Sequence, residues 1–185
     1  MKKIIAILLF MFILIGCQSN LEPSFENDYP SMKGTEHVYE KVTYTTALNF
    51  ILDGTGVIVL GYNEVNEKQD TSTSQIIPIL NEASIASDYD KILYLDIYSI
   101  QDTNNSEYRL LLGYLESATN DLLSRNGKKT ILAPDVYFIN KGKIVGHHIG
   151  TIENDNGVFI KQLNSDQKEE LKNIYIQLFD KLKYS

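Results

Sequence analysis

The chain of 185 residues has one cysteine, Cys17, so no intrachain disulfide can form and no pair of thiols can cycle between oxidised and reduced states. It has no cluster of Lys and Arg; the nearest approach is Lys128-Lys129, a two-residue pair. With 24 acidic against 17 basic residues, that disfavours nucleic acid and anionic headgroups as partners, because phosphate binding rests on grouped cations. No Gly-x-Ser-x-Gly, Walker or Rossmann pattern occurs, and no serine has a histidine close by in sequence to activate it. The longest apolar run, Ile4 to Ile15, is twelve residues, short of the roughly 20 that a spanning helix needs.

That run does have a context. Met1-Lys2-Lys3 precedes it, and Leu14-Ile15-Gly16-Cys17 follows it. A basic start, a short apolar stretch and a small residue before cysteine resemble a bacterial lipoprotein signal peptide and its lipobox. Small Gly16 argues against an uncleaved anchor. The resemblance implies that residues 1–16 are removed and that Cys17 carries a diacylglyceryl group, with palmitate-type chains holding the protein on the extracytoplasmic face of a membrane. Each buried methylene contributes about 0.8 kcal/mol, so two chains anchor stably. The mature chain would have 169 residues, with 15 basic against 24 acidic side chains and a net charge of −9.

Residues 17–35 are polar, contain Pro23 and Pro30, and lack a sustained apolar period, which predicts a lipidated cysteine followed by a flexible tether. The folded domain is expected over residues 36–185, large enough to bury a core without disulfide staples.

Within it, Glu36 to Thr43 reads as a strand and residues 45–52 as a short helix ending at Asp53-Gly54. Val57 to Leu60 and Ile92 to Ile97 are continuous aliphatic runs of the kind buried on both faces of a sheet. Residues 75–83 read as a helix kinked by Pro78, and Ser106 to Ser124 as an amphipathic helix with Leu111, Leu115 and Leu122 at helical steps. Val136 to Ile139 and Lys143 to His147 flank the turn Asn140-Lys141-Gly142, and a helix from Ser165 through Leu182 closes the chain. The order is β-α-β-α-β-α-β-β-α.

That order, Ala133-Pro134-Asp135-Val136-Tyr137-Phe138 with Asn140-Lys141-Gly142-Lys143, the strand Val57 to Tyr62 and Pro78 in the second helix are similar to the thioredoxin-like superfamily, over about residues 39–183. The layout also resembles bacteriocin-transport accessory proteins of Gram-positive bacteria. The resemblance implies a three-layer α/β/α sandwich with a mixed sheet, and a cis-proline at Pro134. It also implies a Cys-x-x-Cys motif at Asp70-Thr71-Ser72-Thr73, or some five residues earlier near Val65, and neither place holds a cysteine. Aspartate and threonine cannot replace the attacking thiolate, so thiol-disulfide exchange is not expected.

What the resemblance leaves is a groove. The residue before the family's cis-proline pairs its backbone with an extended substrate, and Ala133 matches it. The implied peptide-binding surface is Ala133, Pro134 and Asp135, with Asp70, Thr71, Ser72 and Thr73 opposite. Equally, Pro134 can be turn architecture alone. The expected partners are the membrane, through the lipid anchor, and a protein or peptide client whose identity the sequence does not give; no cofactor, metal or catalytic residue is assigned.

The alternative is an enzyme of another mechanism on this fold, metal-dependent or redox with an external thiol. It would need Glu64, Asp70, Asp135 and one of His147 and His148 to converge; adjacent strand positions send those two histidines to opposite faces. Thr71 to Ser74 have the composition of a helix cap, Asp88, Asp90, Asp96 and Asp102 lack the spacing of a calcium loop, and His37 is given no role.

Overall fold

The structure, a computed structural model, describes residues 24–65, 73–102, 104–120, 122, 124–125, 128–150, 160 and 162–185. The leader, Cys17, Asp70, Thr71 and Ser72 therefore lie outside the described residues.

Five strands form one mixed sheet in the order β1-β3-β2-β6-β7: β1 (Tyr39–Lys41), β3 (Ile92–Asp96), β2 (Gly56–Gly61), β6 (Asp135–Asn140) and β7 (Lys143–Ile149). The first three are parallel, and β6 and β7 run antiparallel to their neighbours. Val57 to Leu60 and Ile92 to Leu95 are buried, as central strands covered on both faces must be. Helices α2 (Tyr44–Asp53) and α4 (Ser106–Thr119) cover one face; α3 (Thr73–Ala86) and α5 (Ser165–Lys183) cover the other. Strand alternation divides the core accordingly: Ile58, Leu60, Tyr137 and Ile139 face α2 and α4, and Val57, Val59, Val136 and Phe138 face α3 and α5. This is the α/β/α sandwich with a mixed sheet that the sequence predicts.

Local chemistry fixes the boundaries. Thr43 caps α2 by accepting from the Thr46 N–H, Asn105 caps α4 through the Glu107 and Tyr108 N–H groups, and Asn164 forms a capping box with Gln167 on α5. The β6–β7 turn has Lys141 at φ 50° and Gly142 at φ 72°, the left-handed pair that a two-residue hairpin requires. A Cβ on Gly142 would also lie 2.0 Å from the Leu52 carbonyl oxygen, so that position tolerates only glycine.

Three expectations are corrected. The first strand is shorter than residues 36–43, because only Tyr39 to Lys41 pair with β3. The helix from Ser106 stops at Thr119, where Asn120 turns left-handed at φ 57° and its N–H bonds the Glu116 carbonyl; Ser124–Arg125 (β4) then pairs with Lys128–Lys129 (β5).

The largest correction concerns residues 17–35: their second half is part of the domain and not a tether. Phe25–Asp28 forms a short helix, α1, and Pro30–Met32 a 3₁₀ turn, and Phe25, Tyr29 and Met32 are buried in the core beneath α3 and α5. Phe25 stacks on Tyr29 and Tyr39 with ring centroids 4.9 and 4.5 Å apart and meets Tyr94 edge-on at 5.2 Å. Asp28 binds Lys41 at 2.6 Å. The domain therefore starts by Phe25, not at residue 36.

Candidate functional site

The Ala133–Pro134 peptide is cis. It immediately precedes β6, at the end of the sheet where β2 finishes at Gly61 and β7 at Ile149. Gly150 lies against it: the Gly150 N–H donates to the Pro134 carbonyl at 2.9 Å, and a Cβ there would sit 2.7 Å from Pro134 Cγ and 2.8 Å from Ile76 Cγ1. Ile76 belongs to the first turn of α3, so the proline and the start of the second sandwich helix meet at this glycine. Pro134 is buried and Ala133 half-buried. No other described residue hydrogen-bonds to the Ala133 backbone.

Of the sequence-predicted site residues, Ala133 and Pro134 form this corner and Thr73 opens α3 beside it. Asp135 takes a different role from the surface one expected. It is 1% exposed and faces inward, where Tyr137 donates its hydroxyl to Oδ2 at 2.5 Å and His147 Nδ1 approaches Oδ1 at 3.3 Å. His147 and Asp135 can share a hydrogen bond when Nδ1 carries the imidazole proton, since a carboxylate oxygen accepts. The His147 ring lies parallel to Tyr137 at 5.3 Å and 10°. A carboxylate so deeply buried requires such partners, since its desolvation is otherwise uncompensated.

The two histidines do occupy opposite faces. His148 meets the Tyr175 ring edge-on at 5.7 Å, among α5 residues. Burial lowers its pKa below the usual histidine value, against an opposing pull from Asp135. Tyr175 is raised well above the usual tyrosine range, first by burial and then by Asp135, and stays protonated. Glu64 is turned elsewhere: its carboxylate accepts from the Ser31 N–H at 3.1 Å, and its own N–H donates to the Asp28 carbonyl at 2.8 Å. Among the described residues no three His, Cys, Asp or Glu side chains converge as a metal site. Of the described members of the expected set, Asp135 meets His147 and Glu64 does not join them; Asp70 lies outside the described residues.

The acidic loop residues have local tasks. Asp96 accepts from the Tyr98 N–H and from Asn63 Nδ2, and Asp102 accepts from the Asn104 N–H. His37 packs on Phe25 at 5.2 Å with its Nε2 3.7 Å from Glu26. Sequence reasoning missed the group beside the proline loop: Tyr62 donates to Gln101 Oε1, and Gln101 Nε2 donates to the Ile131 carbonyl at 3.0 Å. A tyrosine directly after a buried strand was the available signal.

A cavity of about 630 Å³ opens at the opposite end of the sheet, lined by Phe50, Val57, Leu93 and the Glu40–Lys91 ion pair. It shares no residue with the proline corner. Among the described residues, no helix is long and apolar enough to cross a membrane. No protein-family model matches the chain, and no curated protein matches it.

Proposed function

We propose that this protein is a lipid-anchored extracytoplasmic module of a Gram-positive bacterium, which binds extended polypeptide segments through the backbone of Ala133 and performs no thiol chemistry. The observation that carries the reading is the state of Ala133. It stands at the end of a sheet, half-buried, with no other described residue hydrogen-bonded to its N–H or C=O, while the neighbouring Pro134 carbonyl is satisfied by Gly150. A free donor and acceptor on one residue is what strand addition uses, and side chains need contribute nothing to it. The membrane anchor is the acylated Cys17 of the lipobox-like leader, and an accessory or holdase role follows from binding without turnover.

The test is fluorescence anisotropy of labelled, blocked, extended peptides against the chain starting at residue 18. Binding is expected, and N-methylation of the pairing peptide residue or Ala133→Pro removes it. Binding that survives both, or insulin reduction catalysed by the same preparation, overturns the reading.

A second reading rests on the Asp135–His147 pair, a buried carboxylate 3.3 Å from an imidazole nitrogen, next to the same corner. It makes the protein an enzyme of another mechanism. Titration calorimetry with Zn²⁺ tests its metal-dependent form: heat of binding that disappears in His147→Ala supports it, and no binding by the parent chain rejects it.

A further inference from the structure

The residues linked to the Ala133 loop are aromatic and acidic, and they specify more than a backbone-reading corner. Tyr62, Ile131 and Ala133 belong to one packed cluster, and Gln101 ties Tyr62 to the Ile131 carbonyl two residues before Ala133. Tyr98 stands edge-on to Tyr62 with ring centroids 5.9 Å apart. Tyr62 is 6% exposed, whereas Tyr98 keeps 45% of its surface in solvent.

The exposed ring is carried on a fixed loop. The Tyr98 N–H donates to Asp96 Oδ1 at 2.9 Å, and Asp96 Oδ2 accepts from Asn63 Nδ2 at 2.8 Å, so a side-chain turn holds the tyrosine against the end of β2. A pre-ordered aromatic ring loses little freedom when a ligand covers it. Among the described residues, the loop that carries the ring holds two carboxylates, Asp96 and Asp102, and no cation. The next cation along the chain is the exposed Arg109 of α4, while Lys41, at the end of β1, is held by Asp28 at 2.6 Å and His147 faces Asp135. The whole chain is at −7.

We infer that the surface made by Tyr98, the edge of Tyr62 and the Ala133 backbone selects extended peptide segments that carry an aromatic side chain next to Lys or Arg. The peptide backbone pairs with Ala133, its aromatic ring packs on Tyr98, and its cation lies against Asp96 or Asp102. This rests on the strand-addition reading above and adds the class of segment bound. Burying one aromatic side chain favours the peptide that has it by about tenfold or more over its serine counterpart. The ionic part is exposed and weakens as salt rises.

Anisotropy with four blocked peptides on one extended frame, with Phe or Ser at the centre and Lys or Glu at the flanks, tests this on the chain starting at residue 18. The Phe-centred, Lys-flanked peptide is expected to bind tightest, by about tenfold over its Ser-centred partner, and to weaken with added salt. Tyr98→Ser is expected to abolish that preference while leaving the Ser-centred peptide unchanged; the exposed position makes unfolding no concern, and circular dichroism checks it. Equal binding of Phe- and Ser-centred peptides, equal binding of Lys- and Glu-flanked ones, or an intact preference in Tyr98→Ser overturns the selectivity and leaves strand addition standing. Failure of every peptide to bind overturns both.

Discussion

Phe25→Ala tests whether the chain before residue 36 belongs to the domain. Phe25 is 3% exposed and touches four aromatic rings, two stacked, one edge-on and the tilted ring of His37. Truncating a buried phenylalanine costs about 3–5 kcal/mol, because the transfer term and the cavity term add. With a urea m-value of about 2 kcal/mol/M, the midpoint falls by about 1.5–2.5 M at unchanged m. A substitution in a solvated tether would stay within about 0.5 kcal/mol, or about 0.25 M. Urea unfolding of the chain starting at residue 18, followed by far-ultraviolet circular dichroism, separates the two outcomes. Local release of residues 25–32 would cap the loss at the docking energy of the segment, and Tyr29→Ala would then add nothing to Phe25→Ala. A midpoint shift below about 0.25 M in both single variants refutes the packing of this segment.

Three further outcomes follow from the proline corner and the strands behind it. Gly150→Ala forces a methyl to within 2.7 Å of Pro134 Cγ and 2.8 Å of Ile76 Cγ1, an overpacking that costs about 1–3 kcal/mol and lowers Tm by about 2–4 °C per kcal/mol; an unchanged melting curve contradicts that geometry. Tyr137→Phe deprives the buried Asp135 carboxylate of its 2.5 Å donor and is expected to cost about 1.5–3 kcal/mol in urea unfolding, whereas a loss under about 0.5 kcal/mol means Asp135 does not need that hydroxyl. His148 has a depressed folded pKa, so the unfolded state takes up its proton first as pH falls. Its stability contribution is complete above about pH 6.5 and declines below that value. Asp135 and His147 act on His148 across the strand and Tyr175 touches it, so the comparison is between the parent and His148→Gln: the variant's urea midpoint should fall less steeply from pH 7 to pH 5. Parallel profiles would show that His148 carries no such linkage.

The order of elements was legible because the central strands announce themselves. Val57 to Leu60 and Ile92 to Leu95 are aliphatic throughout, as burial on both faces demands, and Lys141-Gly142 supplies the left-handed residues of the hairpin. Other features needed tertiary structure. Phe25, Tyr29 and Met32 do stand at helical spacing, yet Pro30 and the surrounding polar residues interrupt the pattern, and only contact with Tyr39 and Tyr94 fixes it. Leu122 continues the apolar steps of α4, so the stop at Thr119 depends on the left-handed turn at Asn120.

The candidate site turns on a single irregularity. Lys143 pairs with Asn140 and Ile144 with Ile139, but the register shifts before Phe138, which pairs with Gly146. Without that extra residue Asp135 would face His148; with it, His147 joins Asp135 and Tyr137, and His148 goes to the α5 side. A strand pattern read from sequence gives two opposed histidines and cannot say which one meets the carboxylate.

The packed segment from Phe25 to Met32 also sets a height. Seven chain steps separate Cys17 from Ser24, and at about 3.3–3.6 Å each they reach no more than about 25 Å. A globule of this size is about 40 Å across. With acyl chains on Cys17, the leash is shorter than the body it holds, so the domain would hover within its own diameter of the lipid and tilt about one pivot near α1.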